Sequence, residues 1–445
     1  MAEWAPLADW LGAPAGLRSL AGVLAESGVE RERPVAALLV PGRLELFGKH
    51  TDYAGGRSLL AALPRGLTLL VARRQDPRVL WRDRGRGVEA SFAIAQAEPR
   101  PGHWSNYART VARRAVADFG ACRYGLDVAM ASNLPPAAGL SSSSAMIVAA
   151  FLALDAVNEL RRRPAGERMI GRPEELAGYL GAVEAGASFG DLGPGEGVGT
   201  LGGSEDHAAI ICSRRGSLRQ YRFGPLAFEG ETELPRHWRL IVATSGVHAK
   251  KTGGARERFN HLAEMSRLAA AAWRRSTGGD ERHLGDALAA AGSAEVLLAA
   301  IRDESSGAGL AEAVRRVRQF AVESEELVPA ATAALETADR YALGGAAARS
   351  QELAQTHLGN QVPETSALTA LARECGALAA SAFGGGFGGA VWAIAKAREE
   401  EHFRARWRMA YTAAFPDAAR TSEFFAAEPS AGARWLTPQK RTERE

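Results

Sequence analysis

Apolar positions in the first hundred residues fall into short β-rich runs separated by turn signals. The runs Val35 to Val40, Leu44 to Phe47 and Leu67 to Val71 predict strands of a sheet. From His103 the period changes: HWSNYARTVARRAVADF carries apolar residues at helical spacing, YGLDVAMAS predicts a strand, and Ser141 to Leu160 predicts a long buried helix. The stretch GASFGDLGPGEGVGTLGG, residues 186–203, can hold no regular element for long and is expected as a loop beside a site or as a mobile cover. Strands are expected again at Ala208 to Ile211 and Trp238 to Ala243. Ala-rich helices follow from about Ala255 to His357, broken at Gly-Gly pairs and at Pro329, and SAFGGGFGGAVWAIAKA predicts a turn and then a strand. No repeat of solenoid period occurs.

A chain of 445 residues is too long for one compact core and suits two domains. A boundary is expected between 215 and 245, which divides the chain into 1–230, 231–435 and a charged tail, 436–445, expected to be disordered. With 46% apolar and 24% charged residues the composition is globular. The 54 basic residues nearly cancel 51 acidic ones and are scattered, which argues against a nucleic-acid surface. Cys122, Cys212 and Cys375 are far apart and form no CxxC, so neither a disulfide framework nor a zinc site is indicated, and a reducing cytoplasm fits. The N-terminal MAEWAPLADW has no basic leader, and the apolar helix around Ala145 to Val157 is interrupted at Asp155, so neither an export signal nor a membrane span is expected.

Three glycine-punctuated segments carry candidate chemistry. In VPGRLELFGKHTDYAGGRSLL, Arg43 follows a Pro-Gly turn, and His50, Thr51 and Asp52 crowd a second turn closed by Gly55 and Gly56. Alone, this segment reads most simply as a surface hairpin with an Asx turn. In LPPAAGLSSSSAM, small residues behind a strand open a helix, where backbone N–H groups and hydroxyls can meet a phosphate or Mg²⁺. A helix cap needs one Ser; four in succession exceed that. The third, FGGGFGGAV, matches GxGxxGxV at Gly384, Gly386, Gly389 and Val391, but a strand-like AVWAIAK follows where a dinucleotide fold needs a helix. A protein-kinase glycine loop is excluded by the absence of HRD and by the short remaining chain. Gly42 to Lys49 is no Walker A motif, because its glycine spacing is one residue too long and His50 stands where Ser or Thr belongs.

Together the three segments resemble the GHMP kinases, and within them the galactokinases. They are similar, in family order, to PGRxNxxGEHTDYxGG, PxxxGLSSSA and GGGFGG; WSNY at 104–107 and NQVPETSAL at 360–368 extend the likeness. The resemblance implies an α+β fold of two domains, an N-terminal one with ribosomal-protein-S5-like topology and a ferredoxin-like C-terminal one. The active site would lie in the cleft between them. It implies ATP and Mg²⁺, with phosphoryl transfer to a sugar hydroxyl, a reaction that needs alignment and charge neutralisation more than covalent help. Phosphate contacts are then expected from Pro135, Gly139, Leu140, Ser141, Ser142, Ser143, Ser144, Gly385 and Gly386, with Mg²⁺ at Ser143 and Glu184. SEDHAAIICSRRG is similar to the family's GIMDQ segment, which makes Asp206 the expected base and Arg43 its neighbour, with Glu205 turned to the other side of a strand. Lys49, His50, Asp52 and Tyr53 would bind the substrate.

Departures from the pattern cluster in the sugar pocket. Lys49 replaces the family Glu, His207 stands where Gln is usual, and the family's sugar-contacting Tyr has no counterpart near Arg256. A galactokinase-like sugar 1-kinase with an altered pocket is therefore expected, and an acceptor with a carboxylate near Lys49 is a corollary. A different GHMP kinase and a non-catalytic sugar and ATP sensor are the alternatives.

Overall fold

The computed structural model describes residues 2–247, 254–304 and 308–438. Most of the expected tail lies outside them, as do residues 248–253. The first sheet takes β1 (Ala5–Pro6), β2 (Pro34–Phe47), β3 (Arg57–Arg74), β4 (Arg78–Asp83), β5 (Val88–Ala93), β6 (Gly125–Ser132), β7 (Ser217–Arg222) and β8 (Ala227–Glu233). Its main order is β1-β2-β3-β6-β4-β5, with β7 on β3 and β8 on β7; β4 runs parallel to β6 and the other pairs are antiparallel. A second, antiparallel sheet is built from β9 (Trp238–Thr244), β10 (Ala379–Phe383), β11 (Ala390–Lys396) and β12 (Phe424–Ala426), in the order β10-β11-β9-β12. The chain then returns to the first sheet, where β13 (Arg434–Leu436) pairs with β2.

A cut at 230/231 would pass through β8, so the chain crosses between sheets at residues 234–237 and crosses back before β13. The first sheet is covered by helices Asn106–Phe119, Ser142–Asn158 and Pro173–Ala185, whose apolar faces share a core with Val71, Trp81 and Val128. Helices Pro363–Glu374 and Glu400–Ala414 cover one face of the second sheet. On its other face, Trp392 and Phe383 join Leu44, Phe47 and Leu140 in a core common to both sheets. The indole of Trp392 donates to the Leu46 carbonyl (3.0 Å), tying the sheets together beside the site. No single helix among the described residues is long and apolar enough to cross a membrane.

Two expectations fail for identifiable reasons. Residues Ala208 to Ile211 lie in helix Glu205–Cys212, not a strand. This helix is buried on several sides, with Ile210 in the core of the first sheet and Ala208, Ala209 and Cys212 against Leu60 and Tyr221. It therefore has no polar stripe to reveal its period. Gly344 and Gly345 do not break helix Arg340–Leu353, and Pro329 lies within an unbroken helical run from Ala308 to Glu336, directly after the more widely wound turn Val322–Leu327.

Candidate active site

Strand β2 brings the first polar groups in. Its pairing with β3 carries irregularities between Pro41 and Arg43 and between Glu45 and Phe47, a device that re-aims side chains, and here Arg43 and Glu45 both enter one cleft. The loop after β2 is held from below by a bundle of helices that includes Gly254–Thr277, Ala308–Ala321, Val328–Glu336 and Arg340–Leu353. Arg316 donates to the His50 carbonyl and Gln319 Nε2 to that of Lys49 (3.1 Å), which helps fix His50 in a left-handed conformation (φ 60°). A non-glycine residue held there stores strain of about 1–3 kcal/mol, as functional sites often do.

His50 Nδ1 meets Tyr53 Oη at 2.7 Å, its Nε2 meets the Gly385 carbonyl at 3.2 Å, and Phe259 packs on both rings. Asp52 Oδ2 accepts from the backbone N–H groups of Gly203 (3.0 Å) and Glu205 (3.3 Å). It thereby anchors the start of helix Glu205–Cys212 and presents that helix's first turn to the cleft. The glycine-rich segment 186–203 contributes Thr200, Gly202 and Gly203 to the wall, so it is a loop lining the site.

Arg43 and Asp206, 163 positions apart, meet with Nε 2.6 Å from Oδ1. Asp206 Oδ2 accepts from Ser144 Oγ (3.1 Å), and Arg43 Nη1 donates to the Gly139 carbonyl (3.3 Å). The expected couple is thus seated on the serine-rich turn. Glu205 does not turn away: in the first turn of a helix it lies beside Asp206, with Oε1 3.7 Å from Arg43 Nε and Oε2 accepting from Ser58 Oγ (2.9 Å). Glu45 also points here, one oxygen accepting from Gly384 N–H (3.0 Å).

Electrostatics follow from burial. Desolvation pulls the Arg43 guanidinium down, but Asp206, Glu205 and Glu45 outweigh it and hold the pKa above its ordinary value. Burial pushes the Glu205 carboxyl well above the usual range, reinforced by Glu45 and Asp52, and burial likewise raises Glu45 against the pull of Arg43 and Lys49. Glu205 and Glu45 face the same guanidinium from one cleft.

Across the mouth of helix Ser142–Asn158 lies a second cleft, lined by Gly139, Leu140 and Ser141 to Ser143 and rimmed by Trp104 and Tyr107. Ser141 is the N-cap residue yet makes no side-chain cap bond; it is left-handed (φ 61°), and its buried Oγ has no hydrogen-bond partner. The capping explanation of the serines therefore fails at the position where it should apply. Gly139 (φ 71°) adds a second positive φ, and alternation of this kind turns successive N–H groups toward an anion.

The structure moves several expected residues. Lys49 is no substrate ligand: its ammonium is buried and donates to Ser350 Oγ (2.6 Å) and Ser381 Oγ (3.0 Å), and Ser350 in turn bonds Glu323. The idea of an acceptor carboxylate at Lys49 falls with it. The Glu323 carboxylate, which also accepts from the Gly48 and Lys49 N–H groups (3.0 and 3.3 Å), is what turns the ammonium inward.

Gly385 lines the first cleft instead of the phosphate turn, and Gly386 packs on Asn360, where a Cβ would meet the carbonyl oxygen at 2.3 Å. Pro135 is buried in the turn ahead of Gly139, and Ser144 faces Asp206 in the first cleft. Ser143 lines the second cleft and Glu184 the first, where Glu184 Oε2 lies 3.1 Å from His207 Nε2. Glu45, Glu205 and Phe259 were missed. The first two replace the Asn of PGRxN and the Met of GIMDQ, a signal present in the motifs themselves.

Two clefts that meet at a serine-rich helix mouth, with a buried Arg43 paired to a half-buried Asp206 between them, define a site built to align an anion with a hydroxyl. Comparison with known proteins agrees. The chain matches family models described as GHMP kinases N terminal domain (residues 106–187), GHMP kinases C terminal (331–413) and galactokinase galactose-binding signature (29–73). It is 30% identical over 409 residues to a galactokinase of Streptomyces coelicolor, covering 91% of this chain and 95% of the relative. A galactokinase of Bacillus subtilis is 32% identical over 130 residues, 28% of this chain and 33% of that protein.

The fold is shared with the crystal structure of Lactococcus lactis galactokinase complexed with galactose, at TM-score 0.78, 22% identity and coverage of 95% of this chain and 100% of that one. It is shared more distantly with mevalonate kinase of Methanococcus jannaschii, at TM-score 0.56, 11% identity and coverage of 88% and 98%. The chain belongs to the GHMP kinase family, as a galactokinase-like, ATP-dependent sugar kinase.

Proposed function

We propose that the protein transfers the terminal phosphoryl group of ATP to the anomeric hydroxyl of a hexose, in a pocket altered from that of the galactokinases it resembles. The observation that carries this reading is the Arg43–Asp206 couple, bonded at once to Ser144 and to the Gly139 carbonyl, where the two clefts meet. The nucleotide lies in the serine-rich cleft, its phosphates on the N–H groups and hydroxyls of Gly139 to Ser143, and the sugar occupies the cleft walled by His50, Asp52, Tyr53 and Phe259.

Asp206 orients the attacking hydroxyl and accepts its proton, while Arg43 offsets the charge that builds on the transferred group. Ser143 and Glu184 would offer hard oxygen donors of the kind Mg²⁺ takes, and an ion held by them would neutralise phosphate charge. ATP as donor places the reaction in the cytoplasm.

The test is ADP release with ATP, Mg²⁺ and a panel of hexoses, with the phosphorylated carbon assigned by phosphorus NMR. Phosphate at carbon 1 supports the reading; phosphate at another carbon, or no turnover with any hexose or hexosamine, overturns it.

A further inference from the structure

The sugar cleft carries more negative charge than the chemistry assigned to it uses. Among its described lining residues are five carboxylates, Glu45, Asp52, Glu184, Glu205 and Asp206, against the single guanidinium of Arg43. The nearest lysine, Lys49, has its ammonium turned to Ser350 and Ser381. Three carboxylates have work: Asp206 is paired with Arg43 at 2.6 Å, Asp52 anchors a helix start, and Glu184 lies beside His207.

Glu45 and Glu205 are only partly matched: Glu45 accepts from the Gly384 N–H and Glu205 from Ser58 Oγ, and both share the charge of Arg43 with Asp206. Glu45 is 1% exposed, and its Oε1 has no N–H or hydroxyl donor; Glu205 is 5% exposed and sits 3.7 Å from an Arg43 Nε already committed to Asp206. Buried carboxylates that outnumber the cations beside them cost free energy that a cationic ligand can repay. No group of three or more His, Cys, Asp or Glu side chains among the described residues could hold a metal ion. A neutral hydroxyl can donate to the pair but cannot offset its charge. A protonated amine can do both, with up to three N–H donors.

Resting on the sugar-kinase reading above, we propose that the acceptor is an amino sugar, with its ammonium group bound by Glu45 and Glu205. These two residues are departures from the Asn of PGRxN and the Met of GIMDQ. Far apart in sequence, they meet in space, and together they convert a neutral part of the sugar pocket into an anionic one.

The test compares kcat/KM for galactosamine and glucosamine with that for galactose, glucose and the two N-acetylated amino sugars at neutral pH. Charge-assisted hydrogen bonds predict a preference of at least about tenfold for one free amine over both its neutral parent and its acetamide. In E45N/E205M, and separately in the milder E205Q, the ratio of amine to parent should fall by about tenfold. Both variants are checked for folding by thermal unfolding.

A neutral sugar turned over as well as its amine, or an amine preference unchanged in folded E205Q and E45N/E205M, overturns the inference and leaves the kinase reading standing. If no sugar is phosphorylated the kinase reading fails, and calorimetric titration with galactosamine decides the inference by itself: binding lost in E205Q supports it, and no binding overturns it.

Discussion

Replacing Asp206 by Asn changes one atom and separates catalysis from architecture. The amide keeps Oδ1 as acceptor for Arg43 Nε, now 2.6 Å away, and its nitrogen can donate to Ser144 Oγ, now 3.1 Å from Oδ2. Arg43 is not left without a counter-charge, because Glu205 stands 3.7 Å away and Glu45 behind it. A hydrogen bond to a charged group is worth about 1.5–3 kcal/mol, and much of it survives here, so folding stability should fall by no more than about 1.5 kcal/mol. The proton acceptor is lost outright. Positioned acid–base groups contribute about 10²–10⁴ in rate, or roughly 3–5.5 kcal/mol of barrier.

Asp206→Asn should therefore show a kcat lower by two to four orders of magnitude with sugar affinity within about threefold. Turnover is read as ADP release at saturating substrates, and affinity by calorimetry. A kcat within about threefold of wild type, or a loss confined to KM, would refute the role given to this carboxylate.

Other outcomes follow from the same geometry. Ser141→Gly relieves a left-handed residue and removes an unpartnered hydroxyl, so ATP affinity should drop while Tm holds or rises; a Tm loss matching about 1 kcal/mol would restore the capping explanation. Glu205 has its pKa raised well above 4.5 by burial, so the folded state keeps a proton that the unfolded chain gives up, and wild-type stability falls as pH climbs from 4.5. Glu205→Gln should consequently be more stable than wild type near neutral pH and converge with it at and below 4.5 in thermal unfolding; a gap that widens toward acid contradicts the buried-carboxyl account. Lys49→Met strands Glu323 and two hydroxyls and should cost about 3 kcal/mol or more, with sugar KM little changed, whereas Lys49→Glu, which restores the family's residue, should be worse still. A fully stable Lys49→Met protein would show that the buried network is not what holds this loop.

Local chemistry was legible from the chain alone. The proposed phosphate cradle is a run of consecutive residues, because neighbouring N–H groups would have to converge on one anion, so GLSSSS is a candidate visible in the sequence; the same holds for the turn that carries His50, Asp52 and Tyr53. The long strands and the buried Ser142–Asn158 helix follow from uninterrupted apolar runs. Even the meeting of Arg43 with Asp206 was inferable, through motif resemblance.

What tertiary structure alone decided is where side chains point. Lys49 follows the same glycine as its family counterpart, but Glu323, Ser350 and Ser381, brought in from the helical bundle and the second sheet, draw its ammonium into the interior. Glu205 was assigned to a strand because a helix enclosed on several sides has no periodicity to read, and that error sent its carboxylate to the wrong face. Glu45 and Glu205 meet only because an irregular strand and a helix start, 160 residues apart, are packed against the same arginine. Sequence spacing records which groups are neighbours along the backbone; burial, register and competing charges settle which become neighbours in space.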